Sequence, residues 1–172
     1  MTQTQHPPLF DGPISTPLSP FHTDGRIAPE LLNEHLSWEA EHGITGVFVL
    51  GTWGGFPLLN LDERIALSRQ FVEAATEAGL KSVVHIGSPC LSDADRLIKS
   101  AESAGATAIA ATVPYYHSAA GYYDLDHYRA YFASLLESST RPLFLYNNPR
   151  TTGVLLKPQD FVTLVADGLH GV

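Results

Sequence analysis

One pattern recurs four times along this chain: a helix-like stretch, a glycine, then an apolar run. It is seen at Glu41-His42-Gly43-Ile44-Thr45-Gly46, at Glu77-Ala78-Gly79-Leu80-Lys81-Ser82, at Ser103-Ala104-Gly105-Ala106-Thr107-Ala108, and it starts again at Ala166-Asp167-Gly168-Leu169-His170-Gly171. A glycine at the end of a helix can take the left-handed conformation that closes it. The repeated unit is therefore helix, glycine turn, strand, and regular alternation of that kind predicts a parallel sheet with right-handed crossovers.

The expected strands are Ile14–Leu18, Val47–Leu50, Ser82–Ile86, Thr107–Ala111, Pro142–Tyr146 and a run from Leu169 onward. Several read as unbroken apolar stretches, the mark of strands covered on both faces. Five helices are expected between them. The first runs from Pro29 to His42, with proline at an early helical position. Asn60 and Glu63 have the spacing of a capping box ahead of a face made by Leu61, Ile65, Ser68, Val72 and Ala75. Ser92 is the expected cap of a third helix, with Ala94, Leu97, Ile98, Ala101 and Ala104 inward. Asp124 opens a fourth with Leu125, Tyr128, Phe132 and Leu135 inward, and Pro158 a fifth with Phe161, Val162 and Val165 inward. Two architectures fit this α/β pattern: an open doubly wound sheet, or a (β/α)8 barrel. A barrel needs about eight strands and typically ~250 residues, and the chain has 172, so on that reading it holds the first six strands and five helices. Residues 1–11 read as a flexible polar tail and 12–172 as the partial barrel.

Charge and composition narrow the partners. The net charge is -8, with Lys and Arg totalling 10 and no basic cluster, which argues against nucleic acid or an anionic membrane. No apolar run approaches membrane-spanning length, and the start lacks a signal-peptide pattern. The single cysteine, Cys90, excludes an internal disulfide and reads as a small, inert apolar residue. A reducing, cytoplasmic setting is expected. His22, His35, His42, His85, His117, His127 and His170 show no metal-ligand spacing with one another.

In parallel α/β folds, ligands gather at the carboxyl edge of the strands. The groups delivered there are Thr16-Pro17, Gly51-Thr52-Trp53-Gly54-Gly55, Gly87-Ser88-Pro89-Cys90, Pro114-Tyr115-Tyr116 and Tyr146-Asn147-Asn148-Pro149. Hydroxyls and glycine-flanked amides dominate. Each piece also has a plain structural reading: a tight turn for Gly51–Gly55, loop packing for the tyrosine pair, a core tyrosine for Tyr146. The glycine loop has neither the dinucleotide nor the P-loop spacing, though it could present amides to a phosphate.

Taken together, Gly51-Thr52-Trp53-Gly54, Pro114-Tyr115-Tyr116 and Tyr146-Asn147-Asn148-Pro149, with Thr16-Pro17 ahead of them, resemble the dihydrodipicolinate synthase/N-acetylneuraminate lyase family of class I aldolases. The resemblance implies a TIM barrel assembled as a homodimer or homotetramer. It implies carbon–carbon or carbon–oxygen lyase chemistry on a small 2-oxo acid such as pyruvate, through a Schiff base on a lysine and with no separate cofactor. It casts Tyr146 as the proton shuttle beside that lysine, and Thr52 and Tyr116 as its relay partners, the latter reaching in from a neighbouring subunit. Thr52, Trp53 and Gly54 would grip the substrate carboxylate, with Arg150 close by. Three departures point away from lysine biosynthesis and toward another 2-oxo acid lyase: Trp53 in place of a small hydroxyl residue, Gly55 in place of glutamate, and Thr151 where an arginine is usual, with Arg150 one position earlier. The lysines, Lys81, Lys99 and Lys157, all read as surface residues far from Tyr146. The expected amine would follow Val172 directly, on the strand that Leu169 begins. The other readings are a non-catalytic fragment and a phosphate-binding doubly wound domain.

Overall fold

Short apolar runs bounded by glycine and proline become the strands of one parallel sheet. The computed structural model describes residues 9–116 and 121–171. Its strands are β1 (Ile14–Ser15), β2 (Gly46–Val49), β3 (Lys81–His85), β4 (Ala108–Ala111) and β5 (Leu143–Leu145). The helices are α1 (Leu32–Glu41, led in by a 3-10 turn over Pro29–Leu31), α2 (Leu61–Glu77), α3 (Leu91–Ala104), α4 (Leu125–Ser138), the short α5 (Pro149–Thr152) and α6 (Pro158–Ala166). Gly43, Gly79, Gly105 and Gly168 take positive φ values of 88°, 73°, 92° and 120°, so the repeat works as a set of left-handed helix stops.

Strand order decides between the two architectures. It is β1-β2-β3-β4-β5 with every pair parallel. A doubly wound sheet reverses direction at a switch point, and no reversal occurs here. The phosphate-binding doubly wound alternative is thereby corrected: crossovers of one hand in one direction put the helices on one side and curl the sheet into part of a (β/α)8 barrel. Two separate apolar clusters show the two faces. Val47, Val49, Val84, Ile109, Ala111, Leu143 and Leu145 face the helices, packing with Leu36, Leu67, Phe71, Leu97 and Phe132. Val83, Ala108 and Ala110 face inward with Phe48, Phe144 and Tyr146. Leu9 and Phe10 also pack there, and the Lys81 ammonium holds the Leu9 carbonyl at 2.8 Å. Ordered packing thus begins inside the stretch read as a tail. Beyond α6, Leu169 is buried, and Gly171 bridges Phe144 in parallel. The expected sixth strand starts there.

Some helix details differ from expectation. The capping box of Asn60 and Glu63 forms, and Ser68, Val72 and Ala75 of the expected face are buried, but Leu67 and Phe71 share that burial, and Leu61 and Ile65 are only partly buried. The N-cap of α3 is Cys90, not Ser92. Cys90 is exposed rather than packed, and its thiol meets Ser92 Oγ at 3.1 Å. That hydrogen bond draws its pKa below the usual thiol value. In α6, Leu164 is the buried residue, whereas Val162 and Val165 face outward. Asp124 caps α4 as expected, and Tyr131 joins Tyr128, Phe132 and Leu135 in the core. Among the described residues no helix is long and apolar enough to cross a membrane.

The Asn60 cap yields a direct check. Asn60→Ala removes an acceptor for the Glu63 N–H and breaks the reciprocal bond pair. It should lower stability by about 1 kcal/mol. The expected result is a lower urea midpoint at unchanged slope.

Candidate active site

The site is built from the ends of β2 and β5. After Val49 the chain turns sharply through Leu50, whose φ of 56° is unusual for a branched residue. The turn then closes on itself. A Cβ on Gly54 would lie 2.8 Å from both the N and Cα of Leu50, so only glycine fits. The Ser19 hydroxyl, arriving from the loop after β1, donates to the Gly54 carbonyl. Gly54 is therefore a backbone support for the turn that carries Thr52.

Across the sheet, β5 ends in Tyr146. Its hydroxyl donates to Thr52 Oγ1 at 3.0 Å, a contact between residues 94 positions apart. Asn148 Nδ2 donates to Thr52 Oγ1 at 3.1 Å and to the Tyr146 oxygen at 3.2 Å. An amide nitrogen can only donate, so Asn148 orients both oxygens. Thr52 then accepts twice and keeps its own proton to give elsewhere. The three residues form a closed triangle that can pass a proton between two hydroxyls.

A cavity of about 270 Å³ opens beside Thr52, lined by Phe56, Pro57, Thr112, Tyr115, Thr151 and Thr152. None of these lining residues is charged. The Tyr146 ring also borders an apolar space of about 270 Å³ on the inner sheet face, with Phe10, Phe48, Val83, Ala110 and Phe144. The other expected site residues lie apart from this centre. Trp53 is 71% exposed. Arg150 is exposed in α5, outside the Thr52 cavity that Thr151 and Thr152 help to line. Tyr116 is 75% exposed and borders a different hollow with Pro89, Pro114 and Tyr123. Its neighbour Tyr115 borders both that hollow and the Thr52 cavity.

Behind the triangle lies a buried polar layer that sequence reasoning missed. His85, the last residue of β3, is fully buried. Its ring sits 4.4 Å from Phe56 and 5.8 Å from Tyr146, centroid to centroid. Burial, helped by the nearby Arg64 guanidinium, pushes its pKa down to about 3. Arg64 of α2 is itself buried. It donates to the carbonyls of His85 and Gly87 at 3.2 Å each, and it stands 5.1 Å over the Phe56 ring. Burial lowers its pKa to about 10, leaving it charged at neutral pH. Tyr131 of α4 donates to the Ser88 carbonyl at 3.0 Å, and burial raises its phenol to about 12. Arg64 had one legible signal, since it falls on the same helical face as Leu61 and Ser68. For His85 the signal was its alternation with Val83 on β3.

The three lysines are distant from the triangle. Lys81 opens β3 at its amino end and pairs with Asp11 at 3.4 Å. Lys99 pairs with Asp95 on the outside of α3, and Lys157 is the N-cap of α6. No cluster of three or more potential metal ligands occurs among the described residues, and His117 lies outside them.

A one-way parallel sheet with helices outside and a hydrogen-bonded triangle of two hydroxyls and an amide at the carboxyl edge defines a barrel-type α/β protein whose polar side chains gather where such folds place their sites. The chain belongs to the dihydrodipicolinate synthetase family, whose model matches residues 9–171. It is 33% identical over 155 residues to a probable 2-dehydro-3-deoxy-D-pentonate aldolase of Escherichia coli, covering 90% of this chain and 50% of that protein. It is 34% identical over 148 residues to an N-acetylneuraminate lyase of Rhizobium meliloti, covering 86% and 48%. Among solved structures it superposes, with TM-score 0.78 and 29% identity, on a prophage protein of the dihydrodipicolinic acid synthase family from E. coli in complex with pyruvate, covering 89% and 50%. The chain spans about half the length of the relatives it matches.

Proposed function

We propose that this chain carries the hydroxyl half of a Schiff-base lyase or aldolase site acting on pyruvate or a related 2-oxo acid. The observation that carries the reading is the 3.0 Å contact of Tyr146 with Thr52, braced by Asn148. Forming an imine requires an amine to add to the keto carbon. The carbinolamine oxygen must then take a proton and leave as water, giving an iminium that can accept the electrons of the neighbouring carbon–carbon bond. A free phenol, with a pKa of ~10, is a poor base alone, and the hydroxyl chain lets Tyr146 pass protons both ways.

The amine is proposed to be a lysine directly after Val172. Strand register supports this. Gly171 bridges Phe144, so a strand continued in the same register would bring its next inward residue, two positions on, opposite Tyr146, about 4.8 Å away across a parallel pair. Tyr116, which is exposed, is proposed to enter the site of a second copy in a homodimer or homotetramer, as the family resemblance implies. The test is reductive trapping. Native protein incubated with pyruvate and sodium borohydride should gain a stable adduct on one lysine. No adduct, or an adduct on Lys81, Lys99 or Lys157, would sink the mechanism.

The uncharged lining of the Thr52 cavity favours a neutral aldehyde as the second partner, in keeping with the sugar-acid substrate named for the similar E. coli aldolase. A neutral hydroxyaldehyde should therefore react with higher kcat/KM than its phosphorylated counterpart. The reverse order would overturn this part of the reading.

A further inference from the structure

We propose that His85 is the positioning residue of this site: a neutral imidazole, protonated on Nδ1, that ties the ends of β2, β4 and β5 together and so sets the Thr52–Tyr146 contact. The inference rests on the lyase reading above for its effect on rate, and on geometry alone for the joint itself.

Each side of the ring meets a different strand end. Nε2 accepts from the Thr112 N–H at 3.4 Å, at the end of β4. A nitrogen that accepts carries no proton in the neutral ring, so the proton belongs on Nδ1. The Leu50 carbonyl at the end of β2 lies near enough to favour that proton, although Nδ1 closes no well-formed hydrogen bond. Leu50 is the left-handed residue two places before Thr52. The ring lies tilted against Phe56, which follows the Thr52 turn, and meets edge-on the ring of Tyr146, the residue just after β5. The ring has no spare room. A Cβ on Gly87 would stand 2.9 Å from Nε2 and 3.0 Å from the Thr112 nitrogen.

Arg64 completes the joint from behind. It donates to the His85 backbone carbonyl and stands over the Phe56 ring. The charged group facing the ring is thus a cation, which opposes a second positive charge on the imidazole. His85 is poised to hold geometry rather than to exchange protons.

Pyruvate methyl exchange in deuterium oxide reads imine and enamine formation without a second substrate. In the native protein, His85→Leu should slow that exchange about 10- to 100-fold, the scale of a small misplacement of reacting groups, while half-saturation by pyruvate moves less than about threefold. His85→Gln, which keeps a donor and an acceptor, should recover part of the rate. Nitrogen-15 NMR of the wild-type imidazole should show the proton on Nδ1 at every pH from about 5 to 8. Wild-type exchange in His85→Leu, a loss carried wholly by half-saturation, a proton on Nε2, or titration inside that range would each overturn the proposal. Pyruvate inert toward the wild-type protein would remove the lyase reading instead, and the NMR pattern would still decide the joint.

Discussion

Replacing Tyr146 by phenylalanine should reduce pyruvate methyl exchange by about 10²- to 10⁴-fold, the usual contribution of a positioned proton-transfer group. The fold should survive. The ring stays in place against Phe48 and His85, at 4.9 Å and 5.8 Å, and only one oxygen is lost. That oxygen donates to Thr52 and accepts from Asn148. Thr52 keeps Asn148 as a donor after the change, so the turn need not move. The loss should fall on kcat, with little change in half-saturation by the 2-oxo acid. Thr52→Val should fall in the same direction while leaving Tyr146 and Asn148 facing a methyl group. Unchanged exchange in Tyr146→Phe would show that the phenol moves no proton.

Acid should weaken this protein through one residue in particular. His85 titrates at about 3 in the folded chain, because burial and then the Arg64 charge oppose protonation. In the unfolded chain an imidazole titrates near ~6.5. Between those values the unfolded state binds more protons, so stability rises with pH across the window. The contribution is complete above pH ~6.5 and drains away as pH falls toward 3. At pH 5 the deficit from this residue alone is about 2 kcal/mol, from roughly 1.4 kcal/mol per unit. Urea melts at pH 7 and pH 5 give the measurement. Wild type should lose about 2 kcal/mol more than His85→Leu over that interval. Carboxylates that titrate in both proteins cancel in the comparison, and equal losses would mean that His85 is hydrated or already charged.

Much of the architecture was legible because it repeats. Four glycines at matching helix ends announced helix-turn-strand units, and all four take the conformation that this role demands. The choice between an open sheet and a barrel was not legible. Strand and helix alternate identically in both, and the difference lies in which neighbour each strand pairs with. Short elements were also beyond local pattern. In the nine residues of α6, a stripe through Val162 and Val165 competes with one through Leu164, and packing chose Leu164. Cys90 rather than Ser92 is the cap of α3, because the loop after β3 delivers the chain into the helix two residues earlier than composition suggests.

Residue types and their spacing along the chain determined that hydroxyls and amides would collect at the carboxyl edge, and that no lysine among the three could join them there. Only the tertiary structure decided which of those groups touch. Tyr115 rather than Tyr116 helps to line the Thr52 cavity, Asn148 braces Thr52 and Tyr146, and His85 and Arg64 stand behind them. The physical reason is that periodicity reports which face of its own element a residue occupies. A contact spanning 94 residues depends on strand order and register, and those are settled when the whole sheet buries its two faces at once.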